Sequence, residues 1–177
     1  MKSVLIFLVP LCLAAEEERL SSGYLFESFP KTESSEHCIQ DLSSVIVLED
    51  GSSWELSLYD MPTLNRWEKG DPIALTQNHR WFTKHPYRLV NQMSNTSVEV
   101  SLARAPKHAK SIQSAGTIAL TLSDGTTWEI SPSDASILDT WLAQDPILTG
   151  LNTGEETSYR HILIHTNTNT CVRANKL

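Results

Sequence analysis

One short stretch occurs twice in the chain, as Asp50-Gly51-Ser52-Ser53-Trp54-Glu55-Leu56-Ser57 and as Asp124-Gly125-Thr126-Thr127-Trp128-Glu129-Ile130-Ser131. The two stretches lie 74 residues apart. With that offset kept and no gap allowed, 18 of the 59 residue pairs between 44–102 and 118–176 are identical. Chance composition does not produce this level of identity, so the chain contains an internal duplication. Residues 37–102 are named the first copy and residues 110–177 the second copy, with a linker at 103–109.

The repeated stretch predicts a β-hairpin in each copy. Asp50-Gly51 and Asp124-Gly125 favour a tight turn, because glycine adopts a positive φ without steric cost. The returning strand places each tryptophan on one face and Glu55 or Glu129 on the other. Further apolar runs, and a closing turn at Asn95-Thr96 and at Asn169-Thr170, complete five or six strands in each copy. We expect an all-β fold of two tandem small β-barrels.

One short helix is predicted after the third strand of each copy. Asp60 and Asp134 stand at its predicted N-cap. The apolar pairs Leu64 with Trp67 and Leu138 with Trp141 recur at the i, i+3 spacing of a buried helical stripe. Asp71-Pro72 and Asp145-Pro146 are predicted to end the helix, because the residue before proline is pushed out of the α region. Capping and turn chemistry therefore explain these aspartates without a catalytic role.

The N-terminus has the pattern of an export signal. Lys2 is followed by an apolar run at 4–13 and by small residues at Ala14-Ala15, so residues 1–15 are predicted to be a cleaved signal peptide. The run is about half the length that crosses a bilayer as a helix. Residues 16–36 form an acidic, serine-rich leader with an apolar patch, Tyr24-Leu25-Phe26 with Phe29. We expect the protein to be exported, either to a periplasm or outside the cell, and the leader to be either a mobile segment or a partner-binding one.

Charge and cysteine content limit the function classes. The formal net charge is −7, which argues against a nucleic-acid partner, because phosphate binding needs an excess of Lys and Arg. After signal cleavage only Cys38 and Cys171 remain, in a compartment that permits oxidation. The two cysteines either form one disulfide or stay as unpaired thiols.

No catalytic or metal-binding motif occurs in the sequence, and no cofactor is expected. His161 and His165 alternate with Ile162-Leu163-Ile164 in a predicted strand. Residues four apart in a strand stand about 13 Å from each other, so these two cannot share one metal ion. A catalytic pair of Glu55 and Glu129 would require the two copies to face each other across a cleft. We expect these glutamates to face water instead.

The two copies differ most in the loop after their fourth strand. In the first copy this loop carries three cations and three aromatic residues, Arg80, Trp81, Phe82, Lys84, Tyr87 and Arg88, whereas the second copy has Gly154-Glu155-Glu156. Cations can neutralise an anionic group while aromatic faces bind a sugar, a peptide or a lipid interface. These six residues are the predicted binding site, unless Trp81 or Phe82 folds back onto the barrel.

The pattern of D-G-S/T-x-W-E-x-S, an aspartate-capped tryptophan, D-P-I and a final N-T turn resembles small exported bacterial domains of uncharacterised function. It covers both copies, and the resemblance implies no active site. The strand count and short helix are also similar to the SH3-like small β-barrel. We expect a non-catalytic binding or envelope-structural module with an anionic, glycan or peptide partner. A cell-wall hydrolase and a host-surface interaction protein are the alternatives.

Overall fold

Strands dominate the chain in the computed structural model, which describes residues 37–43, 45–80, 82–154, 156 and 158–177. The predicted signal peptide and leader lie outside the described residues. The first copy contains β1 His37–Leu42, β2 Val45–Leu48, β3 Ser53–Leu56, α1 Met61–Leu64, β4 Pro72–Gln77, β5 Tyr87–Asn91 and β6 Thr96–Arg104. The second copy contains β7 Lys110–Ala115, β8 Ala119–Leu122, β9 Thr127–Ile130, α2 Ala135–Leu138, β10 Pro146–Leu151, β11 His161–His165 and β12 Thr170–Lys176.

The strands of the first copy close on themselves. They pair in the order β1-β2-β3-β6-β5-β4, and β1 pairs again with β4 through His37 opposite Ile73. This closure makes a six-stranded barrel, which removes the exposed edges of an open sheet. The second copy has the order β10-β11-β12-β9-β8-β7, with a further pairing of β10 to β7. The expectation of a mainly β fold is confirmed.

The predicted hairpin turns are present where the sequence places them. Gly51 has a φ of 82° and Gly125 a φ of 81°, the left-handed region that glycine tolerates. Trp54 and Trp128 are both fully buried. Each indole N–H donates to a hydroxyl two residues earlier, to Ser52 Oγ at 2.9 Å and to Thr126 Oγ1 at 3.0 Å. The polar atom of each buried ring is therefore satisfied.

The helices are shorter than predicted. Each has four residues, after a 3-10 turn at Leu58–Asp60 or Pro132–Asp134. Trp67 and Trp141 lie beyond the helix ends, so they do not form a helical stripe with Leu64 and Leu138. The prediction that each helix ends at Asp-Pro is also wrong, because each helix ends several residues earlier. Both rings are nevertheless buried. Their indole N–H groups bond Thr96 Oγ1 at 2.8 Å and Thr170 Oγ1 at 3.0 Å, hydroxyls at the start of the last strand of each copy.

Asp60 and Asp134 stand at the N-cap positions, but neither side chain caps its helix. Asp60 accepts instead from the backbone N–H of Glu99 at 2.7 Å, and Asp134 from that of Arg173 at 2.8 Å. Each carboxylate therefore ties the helical segment to the last strand of its copy. The predicted capping bond is wrong, because each carboxylate is bonded to a strand N–H instead.

The two copies pack against each other through equivalent strands. β4 and β10 pair in parallel at Thr76 and Leu151. A Cβ added to Gly150 would lie 2.6 Å from the carbonyl oxygen of Leu75, so only glycine permits this approach. Three apolar residues of the second copy belong to the same core cluster as the first-copy residues, namely Leu148, Ile162 and Ile164. None of the described helices is long and apolar enough to cross a membrane.

Candidate binding surface

An asparagine at the start of each divergent loop holds that loop in shape. Asn78 donates to the carbonyl oxygen of His85 at 2.9 Å and accepts from the N–H of Arg80 at 3.2 Å. Asn152, 74 residues later, donates to the carbonyl of Tyr159 at 2.7 Å and accepts from the N–H of Gly154 at 2.9 Å. The partners are again 74 residues apart. The two loops thus share a backbone framework and differ in the side chains that they display.

Each loop is tied to the last strand of its copy by an ion pair, and the charges are exchanged between the copies. Arg80 bonds the Glu99 carboxylate at 2.9 Å in the first copy, whereas Glu156 bonds the Arg173 guanidinium in the second. Glu99 and Arg173 are equivalent positions on β6 and β12. Thr83 Oγ1 also donates to Glu99 at 3.1 Å. Glu99 therefore fixes two points of the first loop.

The Asp134 carboxylate also bonds the Arg173 guanidinium, which already pairs with Glu156. It accepts from Nε and Nη2 of Arg173, each at 2.8 Å. Burial opposes ionisation of Asp134, but the hydrogen bonds from the Arg173 side chain and backbone outweigh it and lower the pKa of the carboxyl. In the first copy Asp60 bonds the backbone N–H of Glu99, whose own side chain is a carboxylate that pairs with Arg80. The second copy therefore has a fully ionic cluster at a place where the first does not.

Exposed apolar side chains flank two residues that bond Glu99 in the first copy, Asp60 and Arg80. The 3-10 turn leading to Asp60 exposes 84% of Leu58 and 94% of Tyr59, and the loop that Arg80 anchors exposes all of Phe82. Asp60 and Arg80 both bond Glu99, so turn and loop are joined at one residue. Large apolar side chains at such exposure, on two segments that meet at one residue, are typical of an interaction site. The first-copy surface is defined as Leu58, Tyr59, Arg80, Phe82 and Lys84.

Phe82 has an unusual backbone conformation. Its φ is 63°, in the left-handed region that phenylalanine rarely adopts. Non-glycine residues in that region cost about 1 kcal/mol or more, and such strain concentrates at functional positions. Because the Phe82 ring is fully exposed, its burial does not offset this cost. The strained backbone and the fully exposed ring together distinguish Phe82 from the other residues of the loop.

The equivalent positions of the second copy carry small or acidic residues, namely Pro132, Ser133, Gly154, Glu156 and Ser158. None of these is among the exposed large hydrophobic residues of the described chain. A side chain at Gly154 would also crowd the first copy, because an added Cβ would lie 3.1 Å from His79 Cε1 and the imidazole would have to shift by a few tenths of an ångström. The two divergent loops therefore meet at His79 and Gly154.

The structure brings together only part of the predicted binding site. Three of the predicted residues lie on the first-copy surface, namely Arg80, Phe82 and Lys84. The Arg80 side chain is 65% exposed. Tyr87 does not lie on this surface: it is 1% exposed, packs edge to face on Trp54 at 5.8 Å, and donates to the Asn169 carbonyl at 3.3 Å. Its position in β5 points it inward, and its ring cannot contact a partner. Arg88 is half-buried and donates to Ser97 Oγ. Trp81 lies outside the described residues.

Leu58 and Tyr59 are members of the surface that the sequence analysis missed. They directly precede the repeated Asp60, and the sequence analysis assigned them no role. Comparison of Leu58-Tyr59 with Pro132-Ser133 at the same offset would have found them, because an apolar pair replaces a polar one within a matched segment.

The histidines and cysteines have other surroundings. His165 is buried at one end of β11 with its Nε2 2.7 Å from Asp145, while His161 stands at the other end. Among the described residues no three His, Cys, Asp or Glu side chains are grouped to hold a metal ion. Cys38 and Cys171 are unbonded and partly buried, and burial raises the pKa of Cys171 to about 11. The disulfide stays a prediction.

Comparison of the chain with protein-family models, curated proteins and solved structures finds no match.

Proposed function

We propose that the chain is an exported, non-catalytic binding module made of two tandem small β-barrels of SH3-like type, and that it binds through the first-copy surface. One observation carries the proposal: equivalent loops with the same asparagine framework display apolar and cationic residues in the first copy and small or acidic ones in the second. Where the framework is shared, exposed side chains that differ between the copies, such as Phe82 and Lys84, are typical of a binding site.

The chemistry of the surface indicates the class of partner. Tyr59 and Phe82 offer flat faces that stack on sugar rings or apolar side chains. Lys84 is exposed and adds a cation, while Arg80 is partly neutralised by Glu99. A glycan or peptide that carries carboxylates fits this combination. Cell-wall material, which joins sugars to short acidic peptides, is the partner that we propose to test first.

The test is co-sedimentation of the purified mature chain with insoluble cell-wall sacculi, with the supernatant analysed for released fragments. Saturable retention without release of soluble fragments is the expected result. Retention together with fragment release would assign the hydrolase alternative. No retention on sacculi at micromolar concentration would overturn the proposal of a cell-wall partner.

A further inference from the structure

We infer that Glu99 is the positioning residue of the first-copy surface: its backbone holds the exposed turn before Asp60, and its carboxylate keeps Phe82 in the left-handed conformation. This inference rests on the proposed function and deepens it, because it names the residue that shapes the same surface. Glu99 lies within β6, and its side chain is 16% exposed. It is therefore held in place by the barrel itself.

The backbone of Glu99 brackets the exposed turn at Leu58 and Tyr59. The Ser57 N–H donates to the carbonyl oxygen of Glu99 at 3.0 Å, and the N–H of Glu99 donates to Asp60 Oδ2 at 2.7 Å. Leu58 and Tyr59 lie between these two bonds, and both side chains are exposed. The turn is thus attached to β6 on either side of its two apolar residues.

The carboxylate of Glu99 brackets Phe82 in the same way. Its Oε1 accepts from Arg80 Nη1 at 2.9 Å, and its Oε2 accepts from Thr83 Oγ1 at 3.1 Å. The Thr83 hydroxyl also lies 3.3 Å from the carbonyl oxygen of His85. The carboxylate is the nearer acceptor and is charged, so it is the stronger partner for the single hydroxyl proton. The two bonded loop residues therefore lie on either side of Phe82, and each uses one oxygen of the carboxylate.

The second copy shows the same backbone bonds without the carboxylate. Arg173 takes the place of Glu99, and its backbone bonds the Ser131 N–H at 2.9 Å and Asp134 Oδ2 at 2.8 Å. Its guanidinium bonds Asp134 and, of the loop residues that the structure describes, Glu156 alone. The turn is thus anchored alike in both copies, whereas the loop is bracketed at two points only by Glu99.

The left-handed conformation occurs in the loop that the carboxylate brackets. Phe82 has a φ of 63°, whereas no positive φ is found among the described residues of the second loop, 152–154, 156 and 158–160. Both loops share the asparagine framework, so the framework alone does not produce this conformation. A phenylalanine stays in the left-handed region only where its surroundings hold it there. The two bonds to Glu99 supply that constraint, and the Phe82 ring is presented to solvent as a result.

A double-mutant cycle on stability tests the constraint without any ligand. Phe82→Gly removes the steric cost of the left-handed conformation, and it is made in the parent and in Glu99→Ala, which lacks both loop bonds. The effect of glycine on the unfolded chain is the same in both backgrounds and cancels. In urea unfolding, Phe82→Gly is expected to lower the unfolding equilibrium constant roughly fivefold more in the parent than in Glu99→Ala. Equal effects in the two backgrounds would overturn the inference.

Sacculus binding tests whether the constraint serves the surface. Glu99→Ala is expected to weaken retention of the mature chain on sacculi roughly tenfold, because the loop is no longer pre-organised. Glu99→Gln keeps one acceptor oxygen and should weaken it less. The matched control Arg173→Ala changes the equivalent position of the second copy and should leave retention of the folded protein unchanged. Unchanged retention in Glu99→Ala, or an equal loss in the control, would overturn the inference.

The two measurements separate this inference from the proposed function. If the parent is not retained on sacculi, the proposed partner is rejected, and the stability cycle alone decides whether Glu99 holds Phe82. If the parent is retained and the cycle shows no coupling, the binding surface stands and the positioning role is rejected. If Glu99→Ala does not fold, Arg80→Gln replaces it in both measurements, since it removes one of the two bonds at a side chain that is 65% exposed.

Discussion

The His165 imidazole and the Asp145 carboxylate lie 2.7 Å apart, at the positions that Asn91 and Asp71 occupy in the first copy. In both copies this polar side chain also accepts backbone N–H groups of the closing turn, from Thr168 in one and from Met93 and Ser94 in the other. The same turn is thus held by an amide in the first copy and by a titratable ring in the second. Because Nδ1 accepts from Thr168, the proton of neutral His165 is assigned to Nε2, toward Asp145.

This pairing predicts a copy-specific loss of stability in acid. The hydrogen bond from His165, together with one from the Leu142 N–H, lowers the pKa of Asp145. A carboxyl whose pKa is lower in the folded than in the unfolded chain stabilises the fold above the unfolded value of about 3.9, and this stabilisation is lost as pH falls through the folded value. His165→Asn should reduce the loss. The loss of stability is measured as the difference between urea midpoints at pH 6 and pH 3, and the variant His108→Asn, at an exposed histidine, is the control. Equal losses in the parent and in His165→Asn would contradict the claim that His165 lowers the pKa of Asp145.

The two N-cap aspartates should differ in their contribution to stability. Asp134→Ala removes the bonds to the Arg173 side chain and backbone, so we expect it to lower the free energy of unfolding by about 2 to 3 kcal/mol. Asp60→Ala removes one backbone bond, and a loss of about 1 kcal/mol is expected. Urea unfolding of the two variants measures both values. An Asp60→Ala variant that loses as much as Asp134→Ala would show that the Arg173 bonds contribute nothing.

Gln144 is predicted to be a strained residue that glycine would relieve. Its φ is 75°, and the equivalent residue of the first copy is Gly70, with a φ of 92°. Gln144→Gly should raise the free energy of unfolding by about 0.5 to 1 kcal/mol, since the left-handed conformation carries no steric cost for glycine. The reverse change, Gly70→Gln, should lower it by a similar amount. If both substitutions shift the urea midpoint in the same direction, the strain is not the cause.

The Cys171 thiol should be slow to react in the folded protein. Burial raises its pKa to about 11, so little thiolate is present at neutral pH. We expect alkylation by iodoacetamide at pH 7.5 to be slow in buffer and fast in 6 M urea, as followed by mass spectrometry. The same spectra, without reduction, test the predicted disulfide through the mass of the intact chain. Rapid labelling of Cys171 in buffer would contradict its burial.

The fold was predictable where local chemistry decides it. The Asp50-Gly51 turn and the inward position of Trp54 depend on positive φ and strand alternation, and both signals are local. The helix length was not predictable, because a one-turn helix is held by Asp60 bonding a strand almost 40 residues later. Tyr87 was misplaced for a related reason: its position next to a loop suggested exposure, but the register of β5 with β6 turns it inward.

The candidate site was predictable only in part. The divergence of the two loops identified Arg80, Phe82 and Lys84. The exchange of ion-pair charges between the copies, Arg80 with Glu99 against Glu156 with Arg173, involves residues on different elements. To predict these ion pairs, one must know which loop residue contacts the last strand of its copy. No local pattern in the sequence indicates that contact.

The most direct test of the central claim is a paired measurement on the variant Tyr59→Ser/Phe82→Asn. Asparagine tolerates the left-handed conformation of position 82, so the backbone strain is relieved rather than increased. Because both side chains are exposed, we expect a Tm within roughly 2 °C of the parent. The affinity for cell-wall sacculi should fall at least roughly tenfold, the loss expected when two aromatic contacts are removed. The control Met93→Ser/Leu142→Ser removes exposed apolar side chains elsewhere and should change neither value. Unchanged binding by the first variant, or equal loss in the control, would contradict the claim that the first-copy surface is the binding site.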